Sequence, residues 1–387
     1  MRIALITDGI YPYVMGGMQR HSFYLAKYLS RKKIYVTLVH FNQSAYDIQK
    51  LEFFTEEEKA YIENMVIPFP KGDRLPGHYI RSSYKYSSLV YEALKERLSE
   101  FDFIYSKGFS AWKLIEEKEK NPGKFPPVGV KFHGYEMFQK ATKLIIRIHQ
   151  MMLKGPARWI TLHADYVFSY GGKVTGLIQA LGVPSSRILE IPAGIEADWI
   201  SENTGISGKT VRFTFLGRYE RRKGVEELNE AIGMLLKENL DFRFNFIGPF
   251  EDSEKITSDK VVYHGLISDN SELKKRLDDT DVLVCPSWSE GMPNVILEAM
   301  ARGCAIIATD VGAVSLMVDH TNGFLIPPGE VIILFDSLKK MTTLGPEVLE
   351  EMKKSSVQKI KSRFVYDLII DKLIRVLESV KVQRHDH

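Results

Sequence analysis

The chain has 387 residues, with 52 Lys and Arg against 49 Asp and Glu, a formal net charge of +3, and 44% hydrophobic and 26% charged residues. These are the proportions of a folded protein and exclude a disordered tail or a collagen-like fibre. The near balance of charge gives no reason to expect a nucleic acid partner. The length exceeds the roughly 250–300 residues at which single cores stop growing, so two domains are expected.

Two cysteines, Cys285 and Cys304, are too few for a disulfide framework and read as buried thiols in a reducing compartment. The apolar run near the N-terminus, residues 3–6 after Arg2, is shorter than the ~7–15 residues of a signal-peptide core. No stretch reaches the ~18 apolar residues of a membrane span. The expectation is a cytoplasmic protein.

In chain order, 2–7 reads as a strand, 8–17 as a Gly-rich loop, and 18–31 as a helix with Phe23, Leu25, Ala26 and Leu29 at helical spacing. Strands follow at 34–41, 103–106, 128–132 and 166–169. Alternation of strand and helix predicts a parallel sheet covered on both faces. Ligands bind such sheets beyond the carboxyl ends of the strands, where the 8–17 loop and His133 both lie. The polar, Gly- and Ser-rich stretch 201–209 reads as a linker. A second series then begins: strands at 211–216, 242–247, 261–264, 282–285 and 305–308, and helices at 225–238 and 295–302. The final stretch, 364–380, carries Phe364, Leu368, Leu373, Leu377 and Val380 on one helical stripe. The predicted division is therefore a domain at 1–200, a linker at 201–210, a domain at 211–363, and a terminal helix and tail at 364–387.

Chemistry concentrates in the second half. Gly217-Arg218-Tyr219-Glu220-Arg221-Arg222-Lys223-Gly224 joins a strand to a helix. Arg218 and Lys223 place two cations beside a helix N-terminus, whose free N–H groups and partial positive charge suit a diphosphate. Alone, such a turn is as readily a solvated basic loop, which is the expectation for Arg221 and Arg222. Further on, Ser287-Trp288-Ser289-Glu290-Gly291-Met292-Pro293-Asn294-Val295-Ile296-Leu297-Glu298 sets two acids around a helix start. Pro293 suits the first helical position and Gly303 the end cap. A single Glu in a helix is usually solvated. Two acids at this spacing, near two cations, point to a crevice where carboxylates accept hydrogen bonds from sugar hydroxyls.

Together, Gly16-Gly17, His133-Gly134, Ile191-Pro192-Ala193-Gly194-Ile195-Glu196, Gly217-Arg218…Lys223-Gly224 and Glu290 through Glu298 resemble the retaining family-4 glycosyltransferases. The likeness runs along nearly the whole chain. It implies the GT-B fold, an α/β architecture of two Rossmann-like domains facing across a cleft, with the last helix crossing back to the N-terminal domain. It implies that Arg218 and Lys223 hold the diphosphate of a UDP- or GDP-linked sugar and that Glu298 binds the ribose. Glu290, Gly291, Met292, Pro293, Asn294 and Val295 would meet the donor sugar, Pro293 by shape only. His133 would approach that sugar from the N-terminal domain, and Gly16 and Gly17 would let backbone come close to the diphosphate. The chain departs from the family pattern at Ala193, Glu196, Ala305 and Lys32-Lys33, none of which is a proposed site residue. On its own, a His after a strand is more often structural; the chain-wide likeness makes His133 functional.

No His/Cys/Asp cluster has metal-ligand spacing and no Asp-x-Asp follows a strand, so no metal or other cofactor is expected beyond the nucleotide-sugar co-substrate. The acceptor, a saccharide or lipid-linked saccharide, is expected against the N-terminal domain. Residues 69–86 mix Lys71, Arg74, His78, Arg81 and Lys85 with Tyr79, Tyr84 and Tyr86. Residues 138–154 set Lys140, Lys143, Arg147 and Lys154 against Phe138, Ala141, Ile145, Ile148 and Met152, ending at Gly155-Pro156. Tyr79, Arg81, Tyr84, Lys143 and Arg147 are the candidate acceptor contacts. A basic amphipathic helix suits an anionic membrane face, so peripheral contact with a membrane's inner surface is left open. A nucleotide-sugar 2-epimerase or a non-catalytic nucleotide-sugar-binding protein are the alternatives. The extra basic and aromatic surface favours transfer over epimerisation. A dehydrogenase is disfavoured because the first loop lacks Gly-x-Gly-x-x-Gly. Donor base, donor sugar, linkage and oligomeric state are not legible.

Overall fold

The structure is a computed structural model that describes residues 1–14, 16–42, 50–72, 75–139, 144–201, 210–238 and 240–385. The linker stretch 202–209, Arg74, Lys140 and Lys143 therefore lie outside the described residues. The chain divides into two compact units: Met1–Tyr170 with Val174–Pro192 and Tyr366–His387, and Gly171–Lys173 with Ala193–Val365.

In the first unit the chain runs through β1 (Arg2–Ile6), α1 (Gly17–Arg31), β2 (Tyr35–His40), α2 (Glu56–Lys59), β3 (Ile62–Val66), α3 (His78–Leu94), β4 (Phe103–Lys107), α4 (Trp112–Lys120), β5 (Val128–Lys131), α5 (Leu144–His163), β6 (Tyr166–Ser169), α6 (Lys173–Ala180) and β7 (Ile188–Glu190). The strands form one sheet in the order β3-β2-β1-β4-β5-β6-β7. Adjacent strands pair in parallel, with Ile3 opposite Val36 on one side and Phe103 on the other. Successive side chains of a strand face opposite ways. Thus Ala4 and Ile6 enter one hydrophobic core, while Ile3 and Leu5 enter another on the opposite face.

The second unit repeats the plan with β8 (Val211–Leu216), α7 (Val225–Leu235), β9 (Phe242–Ile247), β10 (Val261–Tyr263), α8 (Asn270–Asp278), β11 (Val282–Cys285), α9 (Asn294–Ala301), β12 (Ala305–Thr309), β13 (Gly323–Ile326), α10 (Val331–Thr343) and α11 (Pro346–Lys359). Its sheet order is β10-β9-β8-β11-β12-β13, again parallel. Both sheets carry helical crossovers, so each is a Rossmann-like layer, as expected.

The last helix, α12 (Tyr366–His385), belongs to the first unit. Tyr366, Ile369, Ile370, Leu373, Leu377 and Val380 pack in the core that holds Ile3 and Leu5. The expected stripe was partly wrong: Leu368 is 42% exposed, and Phe364 sits before the helix in a single π-turn. The domain boundary also differs. The first unit ends at Pro192 rather than 200, because the Ile195 N–H donates to the Phe364 carbonyl (2.8 Å) and the Ser201 N–H to that of Ala301 (2.8 Å). Residues 171–173 likewise join the second unit, through the Lys173 N–H and the Gly312 carbonyl.

Candidate active site

In the second unit two loops leave the carboxyl ends of β8 and β11. The first tightens into a 3₁₀ turn over Arg221–Lys223 and closes on Gly224, which has φ +69° and precedes α7. A Cβ at Gly224 would lie 2.0 Å from the Pro286 carbonyl oxygen, so only glycine lets the two loops touch there. A 3₁₀ turn has three residues per revolution, so its three basic side chains fan apart. Arg221 lies over the Trp288 ring (5.0 Å) and forks onto Glu227 (2.8 and 2.6 Å). Lys223 donates to Glu290 Oε1 at 2.7 Å. Arg222 approaches Glu290 Oε2 at 3.5 Å. The expectation that Arg221 and Arg222 are solvated is therefore overturned. The reading as an open loop ignored that a turn aims consecutive side chains in different directions.

Glu290 is buried, 7% exposed. Burial alone would raise its pKa, but Lys223, Arg222 and hydrogen bonds from Lys223 and the Ser287 hydroxyl (2.9 Å) hold it below the ordinary carboxylate value. Burial likewise works to lower the Lys223 pKa, and the attraction of Glu290 outweighs it, so the ammonium titrates above its usual range. Arg218 behaves differently. Its side chain is 75% exposed and its Nε is 3.5 Å from Glu220 Oε1. The structure thus joins Lys223 to Glu290 but leaves Arg218 at the surface.

Behind Glu290 the backbone is tightly held. The Ala313 N–H donates to the Gly291 carbonyl (2.8 Å), and a Cβ at Gly312 (φ +57°) would meet the carbonyl oxygens of Glu290 and Gly291. Met292 is buried, and its Sδ accepts the Ala193 N–H at 3.1 Å. Helix α9 begins at Asn294, with Pro293 as its extended N-cap rather than its first helical residue, and no side chain caps that end. Asn294 and Val295 are its first two residues, so the helix start presents its N–H groups and dipole to this loop. Glu298 follows in the same helix, 7% exposed.

In the first unit, His133 follows β5. Its Nδ1 hydrogen-bonds the Tyr170 hydroxyl (2.8 Å), its ring packs edge-on to His21, and it also bonds the backbone of Gly17. Burial, with Lys107 and Lys131 nearby, keeps its pKa well below the ordinary imidazole value, so the ring is neutral at pH 7. Gly17 opens α1, and Gly16 is its N-cap. A Cβ on Gly16 would strike the Gln19 side chain, whose Nε2 donates to Asp8 Oδ1 at 3.1 Å.

His133 also lines a cavity of about 270 Å³ whose walls include Tyr79, Phe109 and Leu153 and whose polar lining includes Asp8 and Lys107. Of the candidate acceptor contacts, Tyr79 reaches this cavity. Arg81 turns back onto the carbonyls of Pro76 (2.9 Å) and Leu75 (3.1 Å), and Tyr84 donates to Glu116 (2.8 Å) and packs on Trp112. Arg147 is exposed on α5. That helix does not end at Gly155-Pro156 but continues to His163, with Pro156 inside it. Its expected apolar stripe faces solvent in part: Ile148 is 54% and Met152 37% exposed. Asp8 was missed by sequence reasoning. Its signal was its place at the end of β1, where a parallel sheet presents ligand contacts.

Among the described residues, no group of three His, Cys, Asp or Glu is placed to hold a metal ion, and no helix is long and apolar enough to cross a membrane. Cys285 and Cys304 are both buried, and burial pushes their thiols up to about 11 and about 12.

Residues 15–199 match the family described as Glycosyltransferase Family 4, and residues 210–343 match Glycosyl transferases group 1. The chain belongs to the family-4 glycosyltransferases, and its fold is GT-B. It is similar to the putative teichuronic acid biosynthesis glycosyltransferase TuaC of Bacillus subtilis, 32% identical over 36% of this chain and 35% of that one. A phosphatidyl-myo-inositol mannosyltransferase of Mycobacterium leprae is 29% identical over 52% of this chain and 56% of that one. The matched stretches span from about a third to about half of the length of such curated relatives. In fold it resembles a sucrose-phosphate synthase from Thermosynechococcus elongatus, with a TM-score of 0.77 at 15% identity, covering 99% of both chains.

Proposed function

We propose that the protein transfers a sugar from a UDP- or GDP-linked donor to a saccharide or lipid-linked saccharide, with retention of anomeric configuration and without a metal ion. The observation that carries this reading is the buried Lys223–Glu290 pair, set between the turn before α7 and the uncapped start of α9. In this reading the diphosphate lies against Lys223 and the α9 N-terminus, and Arg218 swings in from solvent to meet it. Glu290 and Glu298 then accept hydrogen bonds from hydroxyls of the sugar and the ribose. The bond from the anomeric carbon to the β-phosphate oxygen breaks, and the acceptor oxygen bonds to that carbon from the same face. The departing phosphate takes the acceptor's proton, so no protein base is needed. Donors aimed at that phosphate lower the barrier, each typically by ~10²–10³ in rate.

Surface chemistry supports a lipid-linked acceptor. Residues 137–164 contain no Asp or Glu and five Lys and Arg. On α5 the same stretch exposes Ile148, Met151 and Met152. Apolar side chains flanked by cations suit an anionic membrane face. The mannosyltransferase likeness points the same way, and the TuaC likeness points to polysaccharide assembly.

The test is a panel of UDP- and GDP-sugars, read by thermal shift and by nucleoside diphosphate release, with and without chelator. A donor at 100 times its Kd adds about 2.7 kcal/mol of stability. One donor should stabilise the protein and turn over equally in chelator. No shift and no release from any donor would contradict the reading.

A further inference from the structure

Strand register makes His133 and Tyr170 neighbours. β5 pairs with β6 in parallel, Val130 opposite Val167. Three residues further along each segment, past both carboxyl ends, stand His133 and Tyr170. Tyr170 is buried, 4% exposed. Lys131 packs on its ring, with Nζ 3.8 Å from the ring centroid and donating to the Ile191 carbonyl at 3.0 Å. The Tyr170 hydroxyl meets His133 Nδ1 at 2.8 Å.

The direction of that bond follows from where the protons are. Burial holds the Tyr170 phenol well above its ordinary pKa, so it keeps its proton, and a buried O–H needs an acceptor. Among the described residues, the partner of this hydroxyl is His133 Nδ1. The imidazole itself is neutral, because burial opposes a charge there, with Lys107 from β4 and Lys131 from β5 nearby and His21 from α1 edge-on to it. A neutral imidazole has one N–H and one lone pair. Its bond to the Gly17 backbone favours the protonated ring, so the group there is the carbonyl, which accepts from a ring N–H. One tautomer satisfies both bonds, with the lone pair on Nδ1 and the proton on Nε2. The other tautomer would leave the buried phenol's own proton without an acceptor.

We infer that Tyr170 is a positioning residue for His133: its O–H occupies the Nδ1 lone pair and makes the ring a hydrogen-bond donor through Nε2, not a base. The fixed tautomer stands on the geometry of the first unit alone. Its catalytic consequence rests on the transferase reading, in which a ring with its lone pair engaged leaves the acceptor's proton to the departing phosphate.

The experiment is long-range proton–nitrogen NMR of the full chain labelled with nitrogen-15 histidine, at pH 7.5, with His133 assigned by its loss in His133→Gln. Donor kinetics of the wild type and Tyr170→Phe accompany it. In the wild type, Nδ1 should resonate as a hydrogen-bonded acceptor and Nε2 as a protonated nitrogen. Tyr170→Phe should move Nδ1 to the position of an acceptor without that bond, which a merely structural role would not do. It should also lower kcat at least about fivefold, the worth of one neutral hydrogen bond, with the donor KM within about twofold. A proton on Nδ1 in the wild type, an Nδ1 resonance unchanged in Tyr170→Phe, or an unchanged kcat would each overturn the proposal. The wild-type spectrum decides the tautomer even where the variant does not fold. The expected spectra without turnover of any nucleotide sugar support the tautomer and sink the transferase reading; turnover with the proton on Nδ1 sinks the role of Tyr170 alone.

Discussion

Lys223 and Glu290 meet at 2.7 Å across 67 residues of sequence, one from the turn before α7 and the other from the loop before α9. Each holds the other in its charged form against the penalty of burial. The ammonium is therefore charged and fixed before any donor arrives, which is what stabilising a departing phosphate requires.

Lys223→Ala should lower turnover at least ~10²-fold while the fold persists, because Glu290 keeps Ser287 and Arg222 as partners. Glu290→Gln leaves the Lys223 ammonium without its carboxylate and should cost more stability, toward ~3 kcal/mol. The sign with pH follows from the depressed Glu290 pKa. Its contribution is present above the ordinary carboxylate range and is lost as pH falls through the lower folded value. Urea titrations at pH 7 and pH 4 should therefore show a smaller pH effect in Glu290→Gln than in the wild type.

Arg218 and Arg222 separate exposure from position. Arg218→Ala should leave the melting temperature unchanged, since its side chain is 75% exposed, but should raise the donor KM or lower turnover about tenfold or more. Arg222→Ala should instead show a loss of stability, because its guanidinium faces Glu290 and the Ser289 carbonyl. Thermal melts beside donor kinetics distinguish the two.

Asp8→Asn should stabilise the protein. A carboxyl whose folded pKa is raised to about 6 from 3.8 costs stability at neutral pH, and the cost vanishes once pH falls below the unfolded value. The gain should be on the order of 1–3 kcal/mol at pH 7.5 and fade near pH 4. A variant no more stable at pH 7.5 than the wild type would remove the strain attributed to this carboxylate.

Gly224→Ala should be severely destabilising. Its Cβ would collide with the Pro286 carbonyl, and its backbone conformation is left-handed. Soluble protein with a normal melting temperature would show that the two loops are not locked together as described.

Membrane contact through α5 is testable by sedimentation with vesicles containing anionic lipid at low salt. The wild type should sediment with them, and Ile148→Glu combined with Met151→Glu should not. Equal sedimentation of both would exclude this helix face as the contact.

Much of the fold was legible because parallel strands, buried on both faces, read as short apolar runs: 211–216, 242–247 and 282–285 matched strand for strand. Strands β3 (IENMV), β7 (ILE) and β13 (GFLI) escaped, being short or half-exposed edge pieces without such a run. The end of α5 was misplaced because Gly155-Pro156 looks like a stop, yet the helix passes through it. In the site, Lys223 and Glu290 were each singled out from their motifs, but the sequence did not show that they pair. Arg222 was not, since its direction depends on the turn type, and Asp8 was not, since its neighbours come from β4, α1 and α3, far along the chain.

The central claim is that Lys223 stabilises a departing nucleoside diphosphate. It is tested most directly by following nucleoside diphosphate release from the donor that the panel identifies, in wild type and Lys223→Ala at saturating donor. A fall of at least ~10²-fold, with the variant's melting curve still cooperative, is the predicted result. Release within a few-fold of wild type would contradict it.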